Sequence, residues 1–177
     1  PKARASERRE ERAEALEGDG RIAIGLAEIP VSRIDDPNTD MNTLTVAAQS
    51  EALDAVVEPD DRCVVDASDV RPGRFGRRVA GRLRGDVRLE AAHRADEDHP
   101  IVSAASVIAK VERDAHVADL ADEYGPLGSG YPSDPETRAF LEAHVAETGQ
   151  LPGCARASWR TAVDVLGRAA QAGLSEF

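Results

Sequence analysis

Short apolar segments with the pattern of β-strands alternate with helical segments in the first half of the chain, whereas the second half is helical. The strand patterns are "RIAIGLAEIP", in which Ile22, Ile24 and Leu26 alternate, "RCVVD" at 62–66, and "DVRLEAA" at 86–92. This order predicts an α/β fold with a helical C-terminal appendage.

The helical segments have recognisable ends. Gly18 follows the first helix, and Ser133 or Asp134 is placed to cap the helix that opens with Pro135. The predicted helices cover residues 3–17, 43–57, 71–83, 100–125, 135–149 and 160–173, of which the fourth could also be a broken pair.

The composition is acidic and poor in lysine. Asp and Glu total 33 against 22 Lys and Arg, which gives a net charge of −11, and only Lys2 and Lys110 are lysines. Such a composition is typical of proteins from salt-loving organisms, although a GC-rich genome can also produce it. Net negative charge ordinarily disfavours a nucleic-acid partner, but counterion release drives binding less in molar salt, so the charge leaves the partner open.

Nothing in the sequence indicates a membrane or an export route. No apolar run reaches 18 residues, and the N-terminal segment is charged. Cys63 and Cys154 lie far apart and form no zinc-type spacing with the histidines. We expect a cytoplasmic protein with two reduced cysteines and no membrane contact.

Two aspartates follow strand patterns. Asp66 ends the apolar run in "CVVDASDV", where burial of its charge needs a compensating partner, and Asp96 follows the next strand in "HRADEDHP". If the strands are neighbours, both carboxylates face one crevice at the carboxyl ends of the strands, where Mg²⁺ or Mn²⁺ finds suitable oxygen ligands. The alternative is that these two acids only cap turns. We expect Asp69, Glu97 and Asp98 to be cap or solvated residues.

The loop "GSGYPSD" presents Tyr131 between glycines and a proline. A tyrosine on such a loop can stack on a sugar or a base, or donate a hydrogen bond through its hydroxyl. The alternative is a plain helix connector in which Tyr131 packs as a lid.

Longer stretches resemble a known family. "VVDASDV", "HRADEDHPIVSAASVIAKVERD", "EYGPLGSGYPSDPETRAFL" and "ARASWRTA" occur in the order and spacing of ribonuclease HII, the type 2 ribonuclease H of archaea and bacteria, with the archaeal branch more similar. The resemblance covers essentially the whole chain. It implies a ribonuclease H-like mixed sheet flanked by helices, with a catalytic region at 1–125 and a helical substrate-binding region at 126–177.

The resemblance also implies a metal-dependent endoribonuclease. The family hydrolyses RNA in RNA–DNA hybrids and at ribonucleotides embedded in duplex DNA. It cuts 5′ of a ribonucleotide to leave a 3′-hydroxyl and a 5′-phosphate, by two-metal-ion catalysis with Mn²⁺ or Mg²⁺. Asp66 and Asp96 match the third and fourth of its catalytic, metal-binding carboxylates, and Tyr131 matches the loop tyrosine that senses the junction between RNA and DNA. We expect a monomer that acts in DNA replication and repair.

One part of the family pattern is not found. The first two carboxylates of the family normally lie in an Asp-Glu-Ala-Gly-Arg-Gly motif at the end of its first strand, and the 177 residues do not contain this motif. We therefore expect an N-terminally truncated fragment that lacks its first strands and is inactive alone, from an active parent protein. The alternative function is a catalytically inactive nucleic-acid-binding fragment of the same fold.

Overall fold

A computed structural model describes residues 2–174 of the chain, with the side chains of residues 5–171. It confirms the α/β class. In chain order, the elements of this range are α1 (Lys2–Glu17), α2 (Val31–Ile34), α3 (Met41–Asp54), β1 (Arg62–Asp66), α4 (Pro72–Ala80), β2 (Arg88–Ala92), α5 (Ala95–Asp98), α6 (Pro100–Tyr124), α7 (Pro135–Thr148) and α8 (Arg160–Leu174).

The chain forms two compact units. The first comprises Pro1–Ile29 and Asn38–Glu112, and the second comprises Pro30–Pro37 and Arg113–Phe177. The long helix α6 therefore contributes its first half to one unit and its second half to the other.

The sheet of the first unit consists of β1 and β2, which pair in parallel from Arg62 opposite Arg88 to Asp66 opposite Ala92. Helix α4 connects the two strands and α3 packs beside it, because their apolar faces share one core with the sheet. That core contains Val46, Val65, Ala67, Phe75 and Val79, with Leu53, Leu89 and Ala91 packed against it. Parallel pairing brings the carboxyl ends of both strands to the same edge.

The strand predicted around Ile22, Ile24 and Leu26 is wrong. The structure has no strand between residues 21 and 30, and these three side chains are 38%, 37% and 51% exposed. The segment lies against α3 instead, since a Cβ at Gly25 would be only 2.0 Å from the carbonyl oxygen of Ala52. Gly25, Ala27 and Ile29 are the partly buried positions of the segment, so the alternating Ile22, Ile24 and Leu26 lie on its exposed face.

The second unit is helical. Leu141, Val145 and Val165 form its buried cluster where α7 meets α8. Asp35 ties the 30–37 segment to this unit, because its carboxylate accepts hydrogen bonds from the backbone N–H groups of Ala157 (2.7 Å) and Ser158 (3.0 Å) just before α8.

Most predicted helices agree with the structure to within a few residues. The segment after Pro100 is one continuous helix, and Asp134 rather than Ser133 caps α7 by accepting from the N–H of Glu136. Both cysteines are free. Among the described residues, no helix is long and apolar enough to cross a membrane.

Candidate active site

The carboxyl edge of the sheet brings together the segments that carry the two candidate carboxylates. Asp66 is the last residue of β1, and the N–H of Ala67 donates to the carbonyl of Ala92 at the end of β2 (2.9 Å). The chain then reverses through Arg94, whose φ of 55° is left-handed, and enters α5. The N–H of Ala95, the first residue of α5, donates to Oδ1 of Asp66 (3.2 Å), so Asp96, the second residue of that helix, follows directly after this contact.

Asp66 is exposed, and the expectation that it is a buried charge is wrong. The strand buries Cys63 and Val65 but exposes both of its ends. Water therefore solvates the carboxylate and no buried counter-ion is required. Apart from the N–H of Ala95, its oxygens have no hydrogen-bond donor within the described range of residues, which leaves them open to a ligand.

The buried carboxylate of this segment is Asp69, whose side chain is 1% exposed. It accepts from Nδ2 of Asn42 (3.0 Å), from Nε of Arg74 (2.8 Å) and from the N–H of Arg71 (3.1 Å). The hydrogen bonds from Asn42 and Arg74, with that of Arg71, lower the pKa of Asp69 to about 2. As expected, Asp69 caps a turn through its contact with the N–H of Arg71. Its side chain is buried, however, and not solvated.

Tyr131 belongs to the second unit, where the loop before α7 presents it with its side chain 52% exposed. The guanidinium carbon of Arg113 lies 4.0 Å from the centroid of its ring. This distance is within the range of a cation–π contact. The ring of Tyr131 is thus accessible to solvent and is not packed away as a lid.

Comparison with known proteins shows which family the chain resembles. The family model described as Ribonuclease HII matches residues 2–162. Ribonuclease HII of Halobacterium salinarum is 57% identical over 157 residues, which are 88% of this chain and 74% of the relative. Ribonuclease HII of Haloarcula marismortui is 55% identical over 171 residues, which are 97% of this chain and 81% of the relative.

The chain belongs to the ribonuclease HII family. Its relatives include proteins of halophilic archaea. The crystal structure of ribonuclease H2 from Pyrococcus horikoshii superimposes with a TM-score of 0.85 at 33% identity, over 94% of this chain and 78% of that one. Ribonuclease HII of Archaeoglobus fulgidus, solved as a complex with PCNA, gives a TM-score of 0.78 at 33% identity, over 90% of this chain and 76% of that one. The fold and the family support a nuclease of the ribonuclease H type.

The divalent metal that a ribonuclease HII implies finds suitable donors at the carboxyl edge. Asp66 and Asp96 offer carboxylate oxygens, the ligands that Mg²⁺ and Mn²⁺ prefer, and Asp66 is open to solvent. Within the described residues, no group of three or more His, Cys, Asp or Glu side chains is arranged to hold an ion. The donor chemistry of the two carboxylates fits a hard divalent cation.

Two side-chain amides of α3 position the segment after β1. Neither contact was predicted from the sequence. Nε2 of Gln49 donates to the carbonyl of Asp66 (3.0 Å), and Nδ2 of Asn42 donates to Asp69. Their spacing of seven residues puts both amides on one face of the helix. Because α3 also carries Thr43, Thr45 and Ser50, this spacing does not single the two amides out in the sequence.

Proposed function

We propose that this ribonuclease HII chain carries part of the active site of an endoribonuclease that hydrolyses RNA in RNA–DNA hybrids and at ribonucleotides in duplex DNA. Cleavage falls 5′ of the ribonucleotide and leaves a 3′-hydroxyl and a 5′-phosphate. The observation that carries the proposal is the hydrogen bond from Ala95 to Asp66, which joins the two strand-end carboxylate segments.

Asp66 and Asp96 are the proposed ligands of Mn²⁺ or Mg²⁺. When bound, these ions supply the neutralisation of phosphate charge and the acidification of water that phosphodiester hydrolysis needs. The chain itself holds Asp66 in place: the N–H of Ala95 donates to its carboxylate, and Nε2 of Gln49 donates to its backbone carbonyl. Each contact reduces the reorganisation that the site must undergo in order to work.

Tyr131 is the proposed nucleic-acid contact. Its exposed ring offers a surface on which a sugar or a base can stack, and such stacking tolerates any base sequence. Choice of RNA over DNA then depends on contact with the 2′-hydroxyl. We place the catalytic part of the protein at 1–125 and the substrate-binding part at 126–177.

A nucleic-acid-binding fragment without catalysis is the second candidate. Among the described residues, no third acidic or histidine side chain is placed to share an ion with Asp66 and Asp96. This observation favours the second candidate. Binding without a cut is the behaviour that this candidate predicts.

A cleavage assay separates the two candidates. The substrates are a DNA duplex with a single ribonucleotide, an RNA–DNA hybrid and an all-DNA duplex, each with Mn²⁺ or Mg²⁺ in KCl up to molar levels. The proteins are the 177-residue chain and the same chain extended by the upstream codons of its reading frame. A single cut 5′ of the ribonucleotide by the extended protein supports the nuclease, whereas retention of the substrate without any cut supports the binding fragment.

A further inference from the structure

The loop that carries Tyr131 is held by hydrogen bonds that fix its backbone but not the ring. The hydroxyl of Thr137, a residue only 5% exposed, donates to the carbonyl of Leu127 (2.9 Å) and accepts from the N–H of Gly130 (3.0 Å). Asp134 accepts from the N–H of Ser129 (2.7 Å), and its own N–H donates to the carbonyl of Tyr131 (3.0 Å). The orientation of the ring must therefore come from another contact.

That contact is Arg113, on the second half of α6. Its guanidinium carbon lies 4.0 Å from the centroid of the Tyr131 ring, close enough for a planar cation to cover one face of the ring. Its Nη1 also donates to Oδ1 of Asp114 (2.9 Å), which restrains the plane of the guanidinium.

The backbone of the loop makes room for this arginine. Gly130 has a φ of 70°, and a Cβ at this position would lie 2.9 Å from Nη2 of Arg113. A residue with a side chain would thus be strained in its backbone and would also push the guanidinium away. One local assembly therefore contains Gly130, Tyr131 and Arg113. The side chain of Arg113 is 32% exposed.

We propose that Arg113 is a positioning residue that holds the Tyr131 ring in place for nucleotide binding. The guanidinium occupies one face of the ring before substrate binds, so that only the opposite face and the hydroxyl remain for a nucleotide. The inference rests on the proposed function of Tyr131 as a nucleic-acid contact. Because the ring is held in advance, binding does not have to order it, and a substrate that presents a sugar at this position gains affinity.

The first test observes the ring without substrate. The chain has two tyrosines, so protein labelled with 3-fluorotyrosine gives two ¹⁹F resonances, and Tyr131→Phe assigns them. We expect Arg113→Gln to shift and narrow the Tyr131 resonance and to leave that of Tyr124 unchanged. Arg113→Lys, which keeps the charge but not the plane, should give an intermediate shift. Arg160→Gln is the matched control, since Arg160 is 94% exposed on the same unit, and it should move neither line.

The second test is a double-mutant cycle on the cleavage of a duplex that contains one ribonucleotide, with the extended protein. Arg113→Gln should raise KM about threefold to tenfold with kcat nearly unchanged, as expected for loss of a cation–π contact that orders a binding surface. In a Tyr131→Ala background the same substitution should have almost no further effect, because Arg113 acts through the ring.

Each outcome decides the inference. An unchanged ¹⁹F resonance in Arg113→Gln would overturn it, as would a KM effect that persists in full in the Tyr131→Ala background, since Arg113 would then contact the nucleic acid itself. If Arg113→Gln does not fold, Arg113→Lys serves in both tests. If the unsubstituted protein does not cut, the proposed function fails, while the ¹⁹F resonances still decide whether Arg113 positions the ring.

Discussion

Asp66 and Asp69 lie three residues apart on one segment, yet their surroundings fit them for different tasks. Asp66 ends β1 in solvent and receives one backbone N–H, so its oxygens stay accessible to a ligand. Asp69 is buried and saturated by donors from Asn42, Arg71 and Arg74. A carboxylate that is fully paired inside the protein stabilises the fold, whereas one that faces water is available for chemistry.

The pairing of Asp69 predicts how stability depends on pH. Folding lowers its pKa from 3.8 to about 2, so its contribution to stability is present above the unfolded value and is lost as the pH falls from about 4 towards 2. Asp69→Asn should therefore lower Tm at neutral pH, and its Tm difference from the unsubstituted protein should shrink across this range. Thermal unfolding followed by circular dichroism in molar KCl measures both. Asp119→Asn, an exposed site on α6, is the control and should leave Tm unchanged.

At the scale of elements, α3 organises the first unit. Its apolar face supplies Val46 to the core, its two amides hold the segment after β1, and its C-terminal half receives the extended segment that contains Gly25. The backbone of Asp66 is thus held by a helix that carries no candidate catalytic residue.

The approach of Gly25 to α3 predicts a large effect from a small substitution. In Gly25→Ala the new methyl would lie 2.0 Å from the carbonyl oxygen of Ala52, which cannot move without disturbing the helix. We expect a loss of about 1–3 kcal/mol in the free energy of unfolding, measured by urea denaturation. Gly20→Ala is the matched control, because a Cβ there meets nothing within 4 Å. Equal stability of the two variants would show that the segment does not pack on α3 in this way.

The elements that sequence reasoning predicted well are those with both periodicity and end signals. The helix that opens with Pro135 has a capping aspartate and a left-handed Gly149 at its end, and β1 has a continuous apolar run. The segment with Ile22 and Ile24 has the period of a strand, but period alone does not reveal whether an extended chain pairs with a strand or lies on a helix.

For the candidate site, the metal-binding roles of Asp66 and Asp96 stay a prediction. Asp66 and Asp96 follow from the rule that ligands bind at the carboxyl ends of strands, and the structure joins their segments. The burial of Asp69, the role of Gln49 and the stacking of Arg113 on Tyr131 depend on contacts between residues that are distant in sequence. A single sequence gives no measure of such contacts.

At the scale of the whole molecule, the dominant feature is the net negative charge of the chain. With a net charge of −11, the acidic side chains of the folded protein repel one another. The family includes ribonucleases HII of halophilic archaea. Salt weakens this repulsion, because the Debye length falls from about 10 Å at 0.1 M to about 3 Å at 1 M.

Stability should therefore rise with KCl. We expect Tm at neutral pH to increase by several degrees between about 0.1 M and 1 M KCl, because screening reduces the self-repulsion of the folded state. The control is the same titration near the isoelectric point of about 4.8, where the net charge is small and the effect should largely disappear. An equal slope at both pH values would mean that KCl acts by a route other than screening.

The proposed role of Asp66 as a metal ligand is tested most directly by comparing Asp66→Asn with Asp98→Asn in the extended protein. The substrate is a duplex with one ribonucleotide, cleaved in the presence of Mn²⁺. Both substitutions remove one charge from an exposed residue, but only Asp66 is a proposed metal ligand. We predict that Asp66→Asn lowers kcat by on the order of 100-fold or more with Tm unchanged, while Asp98→Asn cuts as the unsubstituted protein does. Full activity of Asp66→Asn would contradict the assignment of the active site to the carboxyl edge of the sheet.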